Sequence, residues 1–331
     1  MPKLNVVKTT KSNIPSKISK LLTDDLTNYL VIKDGYIVVN KLAETFQELV
    51  ITSEVNNLKI VIPKNFYGNQ TLHLFYLFGK QSTSSKIEIV LNENAELTYF
   101  EYLYNFEATN VEIVSNSVLF ENAKLTYTGI TNFNLFAEVK LLRNSYIAAY
   151  GNSNYSIAEV SDSLTTVRTN AFLNGKAATA TVKTVAITSK DQHADLRQLL
   201  VHNAPNTEGY IENYGVANDQ STLSFEGVGK INKKMIKSIA RQLNKGIILG
   251  TKATLEANPL LLIDEYDVEA SHGAAIGKID QEQLYYLMSR GLTKKEAERL
   301  IITGFLSPII AHLSTQELIK DFTTTVSKKT I

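Results

Sequence analysis

The chain of 331 residues contains no cysteine and no tryptophan. Without cysteine there is no disulfide framework, no thiolate zinc site and no cysteine nucleophile. A cysteine-ligated iron–sulfur cluster held by this chain alone is excluded as well. An excess charge of one sign is also missing: 34 basic and 33 acidic side chains leave a formal net charge of +1. That balance argues against binding nucleic acid or a membrane over the whole surface. No apolar run reaches the roughly 18–20 residues of a membrane span. The opening residues Met1-Pro2-Lys3-Leu4-Asn5 lead into a polar stretch without the apolar core of a signal peptide. The expectation is a soluble cytoplasmic protein.

What is present is globular in texture, with 44% hydrophobic and 20% charged residues. The length suits one large domain or two to three ordinary ones. Three regions differ in pattern, residues 1–52, 53–255 and 256–331. In the first, Ile18 to Leu22 and Leu42 to Leu49 have the pattern of short helices. Between them, Tyr29-Leu30-Val31-Ile32 and Tyr36-Ile37-Val38-Val39 flank Lys33, Asp34 and Gly35. Asp-Gly favours a hairpin because both residues tolerate the positive φ of a tight reversal.

From about Leu58 to Ile231, short apolar runs such as Lys86-Ile87-Glu88-Ile89-Val90-Leu91 recur between Asn, Asp, Ser and Gly. Dense strands without intervening helices predict a mainly β protein and speak against a doubly wound parallel sheet. A sandwich or barrel and a β-solenoid both fit, with a modest edge to the solenoid; no strict repeat motif selects between them. After residue 231, Met235, Ile236, Ile239, Ala240 and Leu243 make an apolar stripe at helical spacing. Lys230, Lys234, Lys237, Arg241 and Lys245 fall on the opposite face of that expected helix. Capping patterns at Asp280…Gln283, Thr293…Glu296 and Ser314…Glu317 predict three closing helices, with Gly291 as a stop.

Candidate chemistry is sparse. Of the five histidines, His73 falls in a strand, and His193 and His202 sit at odd spacing on opposite faces of another. His312 precedes a capped helix. His272 stands apart in Glu269-Ala270-Ser271-His272-Gly273-Ala274, where small neighbours leave room around an imidazole suited to iron or zinc. Paired carboxylates for a stand-alone β-helix polysaccharide-processing enzyme are conceivable at Asp191 and Asp195, or at Asp264, Glu265 and Asp267.

An ordered series of motifs closes the chain: Asn258-Pro259-Leu260-Leu261-Leu262-Ile263, Asp267-Val268, Ser271-His272-Gly273-Ala274, Ile279-Asp280, Leu284-Tyr285-Tyr286-Leu287, Ser289-Arg290-Gly291-Leu292, Glu296-Ala297 and Gly304-Phe305. This series resembles the SufB/SufD family of iron–sulfur cluster assembly proteins. The Ser-His-Gly form looks SufD-like rather than SufB-like. The resemblance implies a parallel β-helix core (a β-solenoid) after a shortened N-terminal region, with a C-terminal helical segment that docks partners. It implies a non-catalytic subunit beside a SufB-like subunit and a SufC-like ABC ATPase. Separately, because the edges and ends of a solenoid need covering, a homodimer through exposed strands is an expectation for the chain alone. The resemblance also implies that His272 contacts a transient iron–sulfur cluster or iron shared with a partner subunit, none being bound by this chain alone. SufD proteins often carry cysteine just before Ser-His-Gly, where this sequence has Ala270. A purely structural scaffold that lost cluster chemistry is therefore the alternative within the family.

Overall fold

The computed structural model describes residues 14–79, 83–134 and 137–330, so the opening residues Met1 to Asn5 lie outside them. Two sheets stack their inner faces around one core. The ten-stranded sheet contains β1 (Tyr29–Lys33), β2 (Tyr36–Lys41), β5 (Tyr67–Phe78), β7 (Glu96–Asn105), β9 (Lys124–Asn132), β11 (Asn152–Glu159), β13 (Thr179–Thr188), β15 (Glu208–Ala217), β17 (Ile239–Ile248) and β19 (Glu269–Gly277). The nine-stranded sheet contains β3 (Val50–Glu54), β4 (Asn57–Ile62), β6 (Thr83–Leu91), β8 (Val111–Leu119), β10 (Glu138–Ile147), β12 (Leu164–Leu173), β14 (His193–His202), β16 (Thr222–Ile231) and β18 (Thr254–Ile263). From β4 onward the chain alternates between sheets, and each strand pairs in parallel with the next of its own sheet. The result is a parallel β-solenoid of about seven turns, as expected from the sequence.

The corners explain why this chain turns where it does. Asn65, Asn94, Asn122 and Asn206 adopt φ of 57–60°, a left-handed backbone that asparagine tolerates. Asn94 Nδ2 donates to Asn65 Oδ1 at 2.9 Å and Asn122 Nδ2 to Asn94 Oδ1 at 2.9 Å, so successive corners are tied together. Between corners, alternate residues point inward. Tyr99, Tyr127 and Tyr155 stack through the interior with ring centroids 5.4 and 4.4 Å apart. Beside them Arg143 lies 3.5 Å from Glu101, both fully buried.

The two ends differ. At the first turn, β2 and β3 pair antiparallel with β1 and β4, and Phe46 of a short 3-10 turn plugs the interior against Phe66. At the last turn, β18 and β19 terminate their sheets with no strand beyond them among the described residues. Helices α1 (Ser16–Leu21), α2 (Gln281–Ser289), α3 (Lys294–Phe305) and α4 (Gln316–Lys329) contribute to a second core. There Leu306, Leu318, Phe322 and Val326 join Phe75, Phe100, Tyr102 and Ile130 on the outer face of the ten-stranded sheet.

Several expectations hold in detail. The hairpin turns at Asp34 and Gly35, with φ of 50° and 82°. Asp280 caps α2, Thr293 and Glu296 form a complete capping box on α3, and Gly291 adopts φ 97° after α2. Others are corrected. The stretch from Leu42 to Leu49 contains only the 3-10 turn Glu44–Phe46. The last helix is capped by Thr315, while Ser314 bonds to His73 instead. The sheets continue past residue 255 to Gly277, and the C-terminal helices start at Gln281.

The helix expected around residues 235–243 is instead a corner followed by β17. Lys234 and Lys237, with φ of 71° and 56°, cannot belong to a right-handed helix. Ala240, Gln242, Asn244 and Gly246 point inward from β17, and two of these are polar amides, so the strand's alternation carried no hydrophobic signal. The five basic residues share no helix face: Arg241 pairs with Glu269 at 2.8 Å, and Lys245 lies over the Tyr214 ring.

Candidate functional site

The last turn is built like its predecessors but lacks a neighbour. In β18, Leu255, Ala257, Pro259, Leu261 and Ile263 continue the inward register of β16, while Leu260 and Leu262 point outward and are about half exposed. In β19, Ala270, His272 and Ala274 stack on the buried Ala240, Gln242 and Asn244, so His272 belongs to the inward-facing set. No further strand covers it among the described residues, and His272 is exposed. The corner between the strands presents Tyr266, fully exposed. Glu265 shapes that corner by accepting from the backbone N–H of Tyr266 at 2.9 Å and of Lys234 at 2.7 Å. Those bonds hold its carboxyl below the usual range.

This edge has the properties of an interface. It offers two strand edges with no strand beyond them among the described residues, exposed Leu260, Leu262 and Tyr266, and a histidine. An uncovered strand edge invites pairing with another chain. A second apolar patch lies on the helices: Tyr285, Tyr286 and Met288 of α2 and Leu300 of α3 are exposed. It borders a groove of about 430 Å³ lined by Ile279, Ile301, Gly304 and Phe305, among others.

Several of the other sequence candidates have structural duties. His73 is buried, with Nδ1 3.3 Å from the Asn28 carbonyl and Nε2 2.7 Å from Ser314 Oγ. His202 is buried with Nδ1 2.8 Å from Thr207 Oγ1, whereas His193, at the other end of β14, is exposed. His312 is exposed on a 3-10 turn. Asp195 is paired with Arg168 at 2.5 Å, and Glu265 is committed to its corner, which weakens the polysaccharide-enzyme alternative. Among the described residues no group of three or more histidine, aspartate or glutamate side chains could hold a metal ion. His272 therefore supplies one imidazole rather than a closed site. Sequence reasoning passed over Tyr266, whose only signal was an aromatic residue among acidic neighbours in a turn.

Comparison with known proteins matches residues 76–305 to the family model described as "SUF system FeS cluster assembly, SufBD core domain". The chain belongs to the SufB/SufD family. It is 32% identical over 278 residues to the iron–sulfur cluster assembly protein SufD of Bacillus subtilis, covering 82% of this chain and 63% of that protein. It is 24% identical over 260 residues to an iron–sulfur cluster assembly SufBD family protein of Staphylococcus epidermidis, covering 77% of this chain and 56% of that one. Within the family the chain is SufD-like. It spans about three fifths of the length of these relatives. The matched region runs through the open turn and the first two C-terminal helices to Phe305. No helix among the described residues is long and apolar enough to cross a membrane.

Proposed function

We propose that this SufD-like chain is a non-catalytic subunit of a cytoplasmic iron–sulfur cluster assembly complex. A SufB-like subunit seats on the last turn, extending both sheets across β18 and β19. A SufC-like ATPase docks on the helical patch around Tyr285, Tyr286, Met288 and Leu300. The observation that carries the reading is the asymmetry of the ends: the first turn is plugged by Phe46, while the last exposes strand edges, leucines and His272. A solenoid whose end is uncovered needs a cap, and a family partner of like architecture supplies one.

In this arrangement His272 offers its imidazole to iron or a nascent cluster, the cargo of the complex, at the boundary between subunits. Neutral imidazole is a good iron ligand, and thiolate must come from the partner because this chain has no cysteine. ATP hydrolysis by the docked ATPase would shift the subunits and open the boundary to iron and sulfide. Co-expression with SufB-like and SufC-like partners tests the assembly, and failure to co-purify refutes it. His272→Ala should leave assembly intact and lower the iron and sulfide content of the complex.

The second reading is a scaffold that lost cluster chemistry, favoured by Ala270 beside the histidine and by the lone imidazole. It predicts the same complex with iron and sulfide content indifferent to His272→Ala.

A further inference from the structure

The outer face of the ten-stranded sheet changes character along its strands. Phe100 and Ile130 belong to the core that the helices cover. The residues that precede them on β7 and β9, with the start of β5 and of β11, carry a groove of about 260 Å³. It is lined by Tyr67, Asn69, Thr98, Thr126 and Asn154, together with Glu96 and Lys124, which pair at 2.6 Å.

A break in register builds one wall. Tyr67 of β5 stands opposite Glu96 of β7, and Thr71 stands opposite Thr98. Gly68, Asn69 and Gln70 therefore face the single residue Leu97, and the two extra residues bulge from the sheet. Gln70 Oε1 accepts from Asn28 Nδ2 at 2.5 Å, which ties the bulge to the first turn. A Cβ on Gly68 would stand 3.1 Å from the Glu96 carbonyl, so glycine lets the bulge lie close against β7. Tyr67, at the foot of the bulge, is 72% exposed. Across the floor, Thr98, Thr126 and Asn154 occupy one register row. Neighbouring strands lie about 4.8 Å apart, so two hydroxyls and an amide form an evenly spaced polar row.

We propose that this groove binds a neutral saccharide, with a sugar ring against Tyr67 and its hydroxyls bonded to Thr98, Thr126 and Asn154. Hydroxyl and amide groups both donate and accept, as sugar hydroxyls do. Tyr67 offers an apolar ring face with a polar tip, which suits a ligand apolar on its face and polar around its edge. Glu96 and Lys124 cancel, so the groove has no surplus charge for a phosphate or a nucleic acid. Strands β7, β9 and β11 are paired on both sides, so an extended peptide finds no free edge on this floor. The volume lies below the roughly 300 Å³ at which sites for drug-sized ligands begin, which suits a short glycan unit. Glycoside hydrolysis uses two carboxylates. Among the described residues the groove is lined by one, Glu96, and Lys124 already holds it, so the role is binding without cleavage. The reading of the last turn as a subunit boundary plays no part in this assignment.

Saturation-transfer NMR on the full chain tests it, with maltotriose, cellotriose and triacetylchitotriose as neutral probes and sialyllactose as an anionic one. At least one neutral probe should receive saturation. For that probe, Tyr67→Ala should raise the dissociation constant roughly tenfold or more, and Tyr67→Phe should retain binding. Thr126→Val removes one hydroxyl at nearly constant shape and should weaken binding by about two- to tenfold. Tyr67 is exposed, so Tyr67→Ala should melt with the wild type. No transfer to any of the three neutral probes overturns the proposal. So does a dissociation constant unchanged in Tyr67→Ala, or a preference for sialyllactose over all three.

Discussion

Lys329 Nζ lies 2.6 Å from Asp162 Oδ1 and 2.6 Å from the Ser161 carbonyl, pinning the end of α4 to the corner after β11. Gln192 Oε1 accepts from the same ammonium at 3.0 Å, and Asn218 Nδ2 donates to the Lys329 carbonyl at 2.9 Å. Burial lowers the pKa of this lysine, with Asp162 opposing the shift. Removing one member of a buried, hydrogen-bonded pair leaves the others uncompensated. Lys329→Met should therefore cost about 2 kcal/mol, allowing for the partial exposure of Asp162. Chemical denaturation reads that cost, and native-state hydrogen exchange should show α4 opening before the strands. Unaltered protection of α4 would remove the latch from this account.

The two buried histidines set an acid limit. Burial holds the pKa of both His73 and His202 down to about 4. At His73 the Asn28 carbonyl can only accept, so Nδ1 carries the proton and Nε2 accepts from the Ser314 hydroxyl. The folded chain prefers both rings neutral, whereas the unfolded chain binds protons from about pH 6.5 downward. Their contribution is thus complete above pH 6.5 and is lost as pH falls towards 4, by up to about 3 kcal/mol for each ring. Unfolding free energy measured from pH 7 to pH 4 should fall steeply. His202→Gln should flatten that slope; an identical slope in the variant would assign the acid sensitivity elsewhere.

Glu159 works in the opposite direction. It is buried within the solenoid, and burial raises its pKa to about 7 despite the N–H of Ser161, Arg143 and Lys329. The folded state holds the proton more tightly than the unfolded state. Its contribution is complete below about pH 4.5 and disappears as pH rises through about 7. Glu159→Gln keeps the acceptor for Ser161 without the buried charge. It should match the wild type near pH 5 and exceed it by about 2 kcal/mol at pH 8. Equal stabilities at pH 8 would contradict this.

The corners and the end of the chain were legible in the sequence to different degrees, for physical reasons. Asn94-Ala95-Glu96-Leu97-Thr98-Tyr99 and Asn122-Ala123-Lys124-Leu125-Thr126-Tyr127 are near copies, and the structure stacks them with Glu96 beside Lys124 and Tyr99 beside Tyr127. The next turn retains Tyr155 but replaces the corner asparagine by Tyr150, which still adopts φ 58°. The repeat is thus one of backbone conformation and register, and only two turns keep it in residue identity. Strand β17 was misread because Gln242 and Asn244 occupy core positions that hydrophobic periodicity assumes to be apolar. The His272 motif was visible as a string of letters. Its exposure was not, because burial in a solenoid depends on whether another turn follows.

Two glycines separate structural need from a role at the boundary. At Gly175 an added Cβ would fall 1.9 Å from the backbone nitrogen of Ala149, which cannot yield without moving the neighbouring corner. Gly175→Ala should cost several kcal/mol, on the order of 3 or more, and lower the melting temperature sharply. At Gly273, next to His272, the nearest atom to such a Cβ is 3.9 Å away, on Leu243. Gly273→Ala should leave the isolated chain as stable as the wild type, within about 0.5 kcal/mol. Any requirement for glycine there must come from a body that approaches β19 closely. Co-purification with a SufB-like partner should therefore weaken in Gly273→Ala while melting is unchanged. Full retention of the complex would mean that the partner keeps at least a methyl group's distance from this strand, and the seat proposed on β19 would have to move to β18.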